Sequence, residues 1–105
     1  MPFANQLERD IHFQKHGHKF GITSPTDYET MADAFLFGVM RVNTKQCIRP
    51  TAIDRLRFND KNRHFGVARI NPVYVRTFYP VSIVKIARHR GTTEFFAFEC
   101  ARIDL

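Results

Sequence analysis

The chain has no tryptophan, only two cysteines, and five each of glycine and proline in 105 residues. Each scarcity removes a class of protein. Cys47 and Cys100 stand far apart without CxxC spacing, so neither a zinc ribbon nor a disulfide framework is indicated. Two buried free thiols are the expectation, with a single Cys47–Cys100 bridge as the alternative. No apolar run approaches the roughly 20 residues that a membrane helix needs, so no membrane partner is expected. Met1 to Asp10 carries polar and acidic residues where a secretory signal would have an apolar core. No internal repeat, low-complexity tract or linker interrupts the chain, and residues 1–105 are expected to form one domain around one core. Acidic residues are the last shortage. There are 10 against 16 Lys and Arg, a formal net charge of +6. A polyanion is therefore the leading partner, nucleic acid before an acidic protein, with an anionic surface third.

A 44% hydrophobic content with 11 phenylalanines supports a packed fold and argues against disorder. Asn5 followed by Glu8 has capping-box spacing and predicts a helix from about Gln6 to His16 with an apolar stripe of Leu7 and Ile11. Ser24, Pro25 and Asp27 supply an N-cap, a first-turn proline and an acidic third position. That second helix should run to about Arg41 and bury Tyr28, Met31, Ala32, Phe35 and Val39. After Pro50 the period changes to two. Ile53 to Phe58 and Phe65 to Ile70 read as a hairpin about Asn59 to Asn62, with Arg55 and Arg57 on one face. Val73 to Tyr79 reads as a strand with Val73, Val75, Thr77 and Tyr79 on one face, and Val81 to Ala87 as a further strand. The segment from Glu94 to Ile103 suits a helix or a strand equally. The expected class is α+β, with helices on one face of an antiparallel sheet and the other face open to a ligand.

The stretch HFQKHGHKFG groups His12, Lys15 and His16 on one side of the first helix, within about 100° of one another. Gly17 fits a left-handed helix stop, which places the trio in a last turn where the helix dipole favours cations whatever their function. Two imidazoles can act as base and acid near neutral pH, and a lysine beside them can neutralise a phosphate. Those groups suffice for metal-free RNA cleavage, in which the 2′-hydroxyl loses a proton, attacks phosphorus and releases a protonated 5′-oxygen. His12 and His16 also have the spacing of helical zinc ligands, with His18, His64 or His89 as a third. The residue after His12 is Phe13, however, where the zinc-hydrolase motif has its glutamate.

Four stretches in order, HFQKHGHKFG, SPTDYETMADAF, DRLRFNDKNRHFGVA and VRTFYP, resemble the bacterial ribonuclease toxin superfamily that joins barnase, EndoU, the tRNase colicins and RelE. They look most similar to the C-terminal toxin domains of contact-dependent and polymorphic systems and their phage relatives. The resemblance covers about Ile11 to Pro80; the Glu94 to Arg102 tail matches no toxin motif. It implies N-terminal helices packed on a four- to five-stranded antiparallel sheet and metal-independent cleavage of RNA, frequently tRNA, without a cofactor. It implies His12, Lys15 and His16 as the first-helix cluster, Arg57 from the arginine strand, and Arg76 with Thr77 from the threonine strand.

In the resulting scheme one histidine is the base and the other the acid, in an order left open. Lys15 and Arg57 sit on the nonbridging oxygens, and Thr77 donates a hydrogen bond to the phosphate. Arg55, Arg76, Tyr79 and Lys85 contact the RNA, Tyr79 by stacking on a base or relaying a proton. A small acidic immunity or antitoxin protein is the expected second partner. The site of action would be the cytoplasm of the target or producing bacterium, with delivery as the C-terminal part of a larger secreted toxin as one route. A noncatalytic RNA-binding module and a protein-interaction domain are the competing readings.

Overall fold

A computed structural model describes residues 2–50 and 53–103. Its first helix, α1 (Gln6–His16), begins where the capping signal places it, with Asn5 Oδ1 accepting from the Glu8 amide at 2.8 Å. Its end differs from expectation. Gly17 is right-handed, at φ −56°, and a 3-10 turn (Gly17–Phe20) continues to Gly21, whose φ of +70° supplies the left-handed stop. Gly17 is needed for space instead: a Cβ there would lie 2.6 Å from the Phe13 ring. The predicted Leu7–Ile11 stripe is also wrong, since these side chains are 68% and 49% exposed. The helix packs instead through Phe13 and His16, with Phe3 beside His12.

The second helix, α2 (Pro25–Phe37), is capped by Ser24 and buries Tyr28, Ala32 and Leu36 at four-residue spacing. It ends before the predicted Arg41, and Val39, predicted to be core, is exposed. Four strands follow: β1 (Thr44–Ile48), β2 (Asp54–Asn59), β3 (His64–Ile70) and β4 (Val73–Pro80). They form an antiparallel meander in chain order. The β2–β3 hairpin is closed by Asn59, whose Oδ1 accepts from the Lys61 and Asn62 amides. β1 is an element that the alternation did not announce.

The register contains one irregularity that matters for function. Val67 pairs with Thr77, but the next residue, Ala68, pairs with Val75, which leaves Arg76 as an extra residue in β4. The bulge breaks the predicted alternation. Val75 now shares a face with Phe78, packed with Phe3, Tyr28, Ala32, Leu36 and Ala68 beneath α1 and α2. Thr77 and Tyr79 share the opposite face with their partners Val67 and Phe65.

That opposite face is not open. Pro80 is followed by helices α3 (Ile83–Arg88) and α4 (Thr92–Ala101), so the strand predicted over Val81 to Ala87 does not form. The Ser82 side chain accepts from the Lys85 amide and starts α3. Phe95 and Phe96 of α4 join Leu56, Phe58, Phe65, Val67 and Val81 in a second core. Cys47 and Cys100 are disulfide-bonded, joining β1 to α4, against the expectation of free thiols. A buried ion-paired group reinforces this layer. Arg49 Nη2 meets Glu99 Oε1 at 2.8 Å, and Asp54 accepts from Arg69 and Arg76. Among the described residues, no helix is long and apolar enough to cross a membrane.

Candidate active site

Both faces of the sheet are covered; one cavity, of about 660 Å3, opens between the end of α2 and the β2–β3 hairpin, and a more basic cleft lies along the outer strand β4. β4 is the edge strand, and the Pro2 carbonyl accepts from the Val75 amide, which brings α1 against that edge. A cavity of about 770 Å3 opens between α1, β4 and α3, lined by His12, Lys15, His16, Lys19, Arg63, His64, Thr77, Tyr79 and Lys85 among others. A smaller cavity of about 590 Å3 adjoins it and shares His12, Thr77 and Tyr79; Arg49, Arg76, Glu99 and Arg102 line its far side.

The bulge is what brings Tyr79 to this cleft. The His16 ring stacks on Tyr79 at 5.0 Å between centroids, and the His12 ring is 6.2 Å from His16. On the other side Lys85 Nζ lies 3.3 Å from the Tyr79 hydroxyl and 5.5 Å from the ring centroid. Lys19 Nζ is 3.2 Å from His16 Nδ1. An ammonium has only donors, so Nδ1 accepts and the neutral imidazole carries its proton on Nε2.

No aspartate or glutamate lines the larger cavity, whereas Lys15, Lys19, Arg63 and Lys85 do. The consequence for His16 is large. It is 8% exposed, and desolvation followed by the charges of Lys19, His12, Lys15 and His18 lowers its pKa to about 4. His12 is lowered as well, chiefly by burial, but Glu8 Oε2 at 3.9 Å from its Nε2 opposes the shift. Its Nδ1 is buried without a hydrogen-bond partner. His64 is lowered by burial and by Arg63. The cleft therefore holds its imidazoles neutral in a field that favours an anion.

Of the residues singled out from sequence, His12, Lys15, His16, Thr77, Tyr79 and Lys85 meet at this cleft. Arg57 does not. It belongs to the face toward α2, where it is 8% exposed and donates to Gln46 Oε1 at 2.7 Å and to the Phe35 and Gly38 carbonyls at 3.2 and 2.7 Å. Arg55, expected on RNA, lies on that face too, donating to the Leu36 carbonyl and covering the Phe37 ring. Arg76 lines the adjoining cavity but is held by Asp54 Oδ2 at 2.6 Å.

Sequence reasoning missed Lys19, offered His64 only as a third zinc ligand or an incidental RNA contact, and counted Arg63 only within the basic run from Arg41 to Arg69 that could track phosphates. The three-residue step from His16 to Lys19 was a usable signal for Lys19. Arg63 and His64 reach the cleft only because the hairpin end comes to rest beside Pro80. The zinc alternative lacks a ligand set: among the described residues, no group of three or more His, Cys, Asp or Glu is placed to hold a metal. No protein-family model matches the sequence, and no curated protein matches it.

Proposed function

We propose that this chain is an endoribonuclease of the bacterial toxin type, cleaving RNA without a metal by attack of the 2′-hydroxyl on the adjacent phosphorus. The observation that carries the reading is the convergence of two imidazoles, a threonine and several cations in a cleft whose larger cavity has no carboxylate on its walls. RNA brings one negative charge per nucleotide into that field.

His16, neutral near pH 7, takes the 2′-hydroxyl proton, and His12, whose lowering by burial Glu8 partly offsets, returns one to the 5′-oxygen from its minor protonated form. Lys15, Lys19 and Lys85 stabilise the charge that grows on the nonbridging oxygens, the task first given to Lys15 and Arg57. Thr77 orients the phosphate through its hydroxyl, and Tyr79 offers a face for a base. The substrate class proposed is tRNA. A small acidic antitoxin or immunity protein would complement the +6 chain by covering this cleft. The place of action proposed is the bacterial cytoplasm, reached by synthesis there or by delivery on a larger toxin.

The test is incubation of the purified chain with RNA in EDTA. Products ending in 2′,3′-cyclic phosphate and 5′-hydroxyl are expected. Tight, salt-dependent binding with no cleavage would replace this reading with a noncatalytic RNA-binding module, and activity lost in EDTA but restored by zinc would replace the mechanism.

A further inference from the structure

The contact between Lys19 and His16 sits awkwardly with a base at His16, because the nitrogen that must accept a proton already accepts from an ammonium. The surroundings offer a resolution. Lys19 has no carboxylate to hold it on the cavity wall, and it stands with Lys15, Arg63 and Lys85 around space large enough for a tetrahedral oxyanion. A phosphoryl or sulfate oxyanion entering that space is a stronger acceptor for Lys19 than a neutral imidazole nitrogen.

We propose that this cleft is a phosphoryl-oxyanion site in which Lys19 exchanges His16 Nδ1 for the bound anion, freeing Nδ1 to take a proton. Lys19 thus contacts the phosphate directly and, by leaving Nδ1, lets the anion that is to be cleaved prepare the base. The inference rests on the placing of the RNA phosphate in this cleft under the proposed function. The proton balance is simple: Lys19 keeps its three protons, and His16 gains one at Nδ1, from solvent when a simple ion binds and from the 2′-hydroxyl when RNA binds.

Titratable or charged groups face His16 from every element around its cleft. Lys19 and His18 of the 3-10 turn and Lys15 and His12 of α1 act on it by charge. Tyr79 of β4 stacks on it, and Lys85 of α3 with Arg63 and His64 at the start of β3 line the same cavity. Before binding, these neighbours oppose protonation. An oxyanion among them offsets part of their charge, so anion binding and proton uptake must be linked, and the linkage is reciprocal.

Inorganic sulfate is the probe, because it stays a dianion across the range in which histidine titrates and any proton taken up belongs to the protein. The His16 ring resonances are followed by NMR against pH in chloride and at increasing sulfate up to saturation, and assigned by their loss in His16→Gln. The His16 midpoint, about 4 without the anion, should rise by at least one unit at saturating sulfate. By linkage, protonated protein then binds sulfate at least tenfold more tightly than neutral protein. Lys19→Met, an exposed change in the 3-10 turn, should raise the anion-free midpoint and shrink the rise caused by sulfate.

A wild-type midpoint indifferent to sulfate, whether because sulfate fails to bind or because it binds without moving His16, overturns the exchange. So does a Lys19→Met protein with the full wild-type response. The nuclease reading fails separately. An inactive protein with sulfate-linked His16 discards that reading alone, and an active nuclease with an indifferent His16 discards the Lys19 exchange alone.

Discussion

The cations on the two sides of the sheet have opposite circumstances. Toward α2, Arg55 and Arg57 meet backbone carbonyls at the end of a helix that has no basic residue in its own last turn. They complete the helix terminus and neutralise its dipole, a structural task. Beside β4, Lys15, Lys19 and Lys85 project from α1, the 3-10 turn and α3 into a cavity without a carboxylate. Lys19 meets a neutral imidazole and Lys85 a phenol. The lesson is that charge and strand alternation do not distinguish an arginine that completes a helix end from a lysine that lines an open cleft. What distinguishes them is whether folding delivers an acceptor to the cation.

Exchanging the two sides' roles by mutation tests that contrast most severely. His16→Ala should lower the rate of RNA cleavage per folded molecule by about 10² to 10⁴, the usual worth of a positioned acid or base, with a loss of only about 1–2 kcal/mol in urea denaturation from its lost packing on Tyr79. An unchanged rate would place the chemistry elsewhere. Arg57→Ala should do the reverse. Losing three charge-assisted hydrogen bonds in a buried setting should cost about 2–4 kcal/mol in urea denaturation, with the rate per folded molecule retained. A folded Arg57→Ala protein with cleavage reduced a hundredfold would return this arginine to the active site.

Acid sharpens the comparison further, because His16 lies on the β4 side and its pKa is lowered there to about 4. His16 ordinarily titrates at 6.5 in the unfolded chain and at about 4 when folded, so the unfolded state binds its proton first. The stability from keeping His16 neutral is full above 6.5, falls as pH drops through that value, and is gone below about 4. A loss on the order of 2 kcal/mol is expected across this window. His12 and His64 add in the same direction. His16→Gln should flatten that part of a pH series of unfolding curves, and an undiminished slope would mean that His16 is not held neutral. The smallest expected effect belongs to Thr77→Val, which keeps the β-branched shape on the edge strand. Cleavage should fall by about tenfold with an unmoved Tm, as for one lost hydrogen bond to the phosphate. Full activity would reduce Thr77 to a sheet residue.

The elements most legible in the sequence are those whose cause is local. Asn5 and Ser24 open helices by bonding amides three residues on, and Asn59 closes a hairpin the same way. The grouping of His12, Lys15 and His16 was legible because helical spacing is short-range geometry. Ser82 was an equally local signal that the β-branched run after it obscured. The remaining errors are of another kind. Which face α1 buries depended on where Phe3 and β4 lie, not on which residues are most apolar. Gly17 is required for space beside the Phe13 ring, and Gly21 four residues on supplies the left-handed stop.

What the sequence determined by itself was the material: two capped helices, alternating strands, an excess of cations and a pair of histidines at the end of α1. The tertiary structure decided how they are used. The Arg76 bulge turns Thr77 and Tyr79 away from Val75, a one-residue step that reverses every side chain beyond it. The packing of α2 assigns Arg55 and Arg57 to its carbonyls, and α4, joined to β1 through Cys47–Cys100, covers the face expected to be open. Each of these outcomes rests on contacts between residues distant in the chain, whose partners no local pattern names. Spacing sets which side chains can act together, but only packing sets which polar groups are already satisfied and which remain for a ligand.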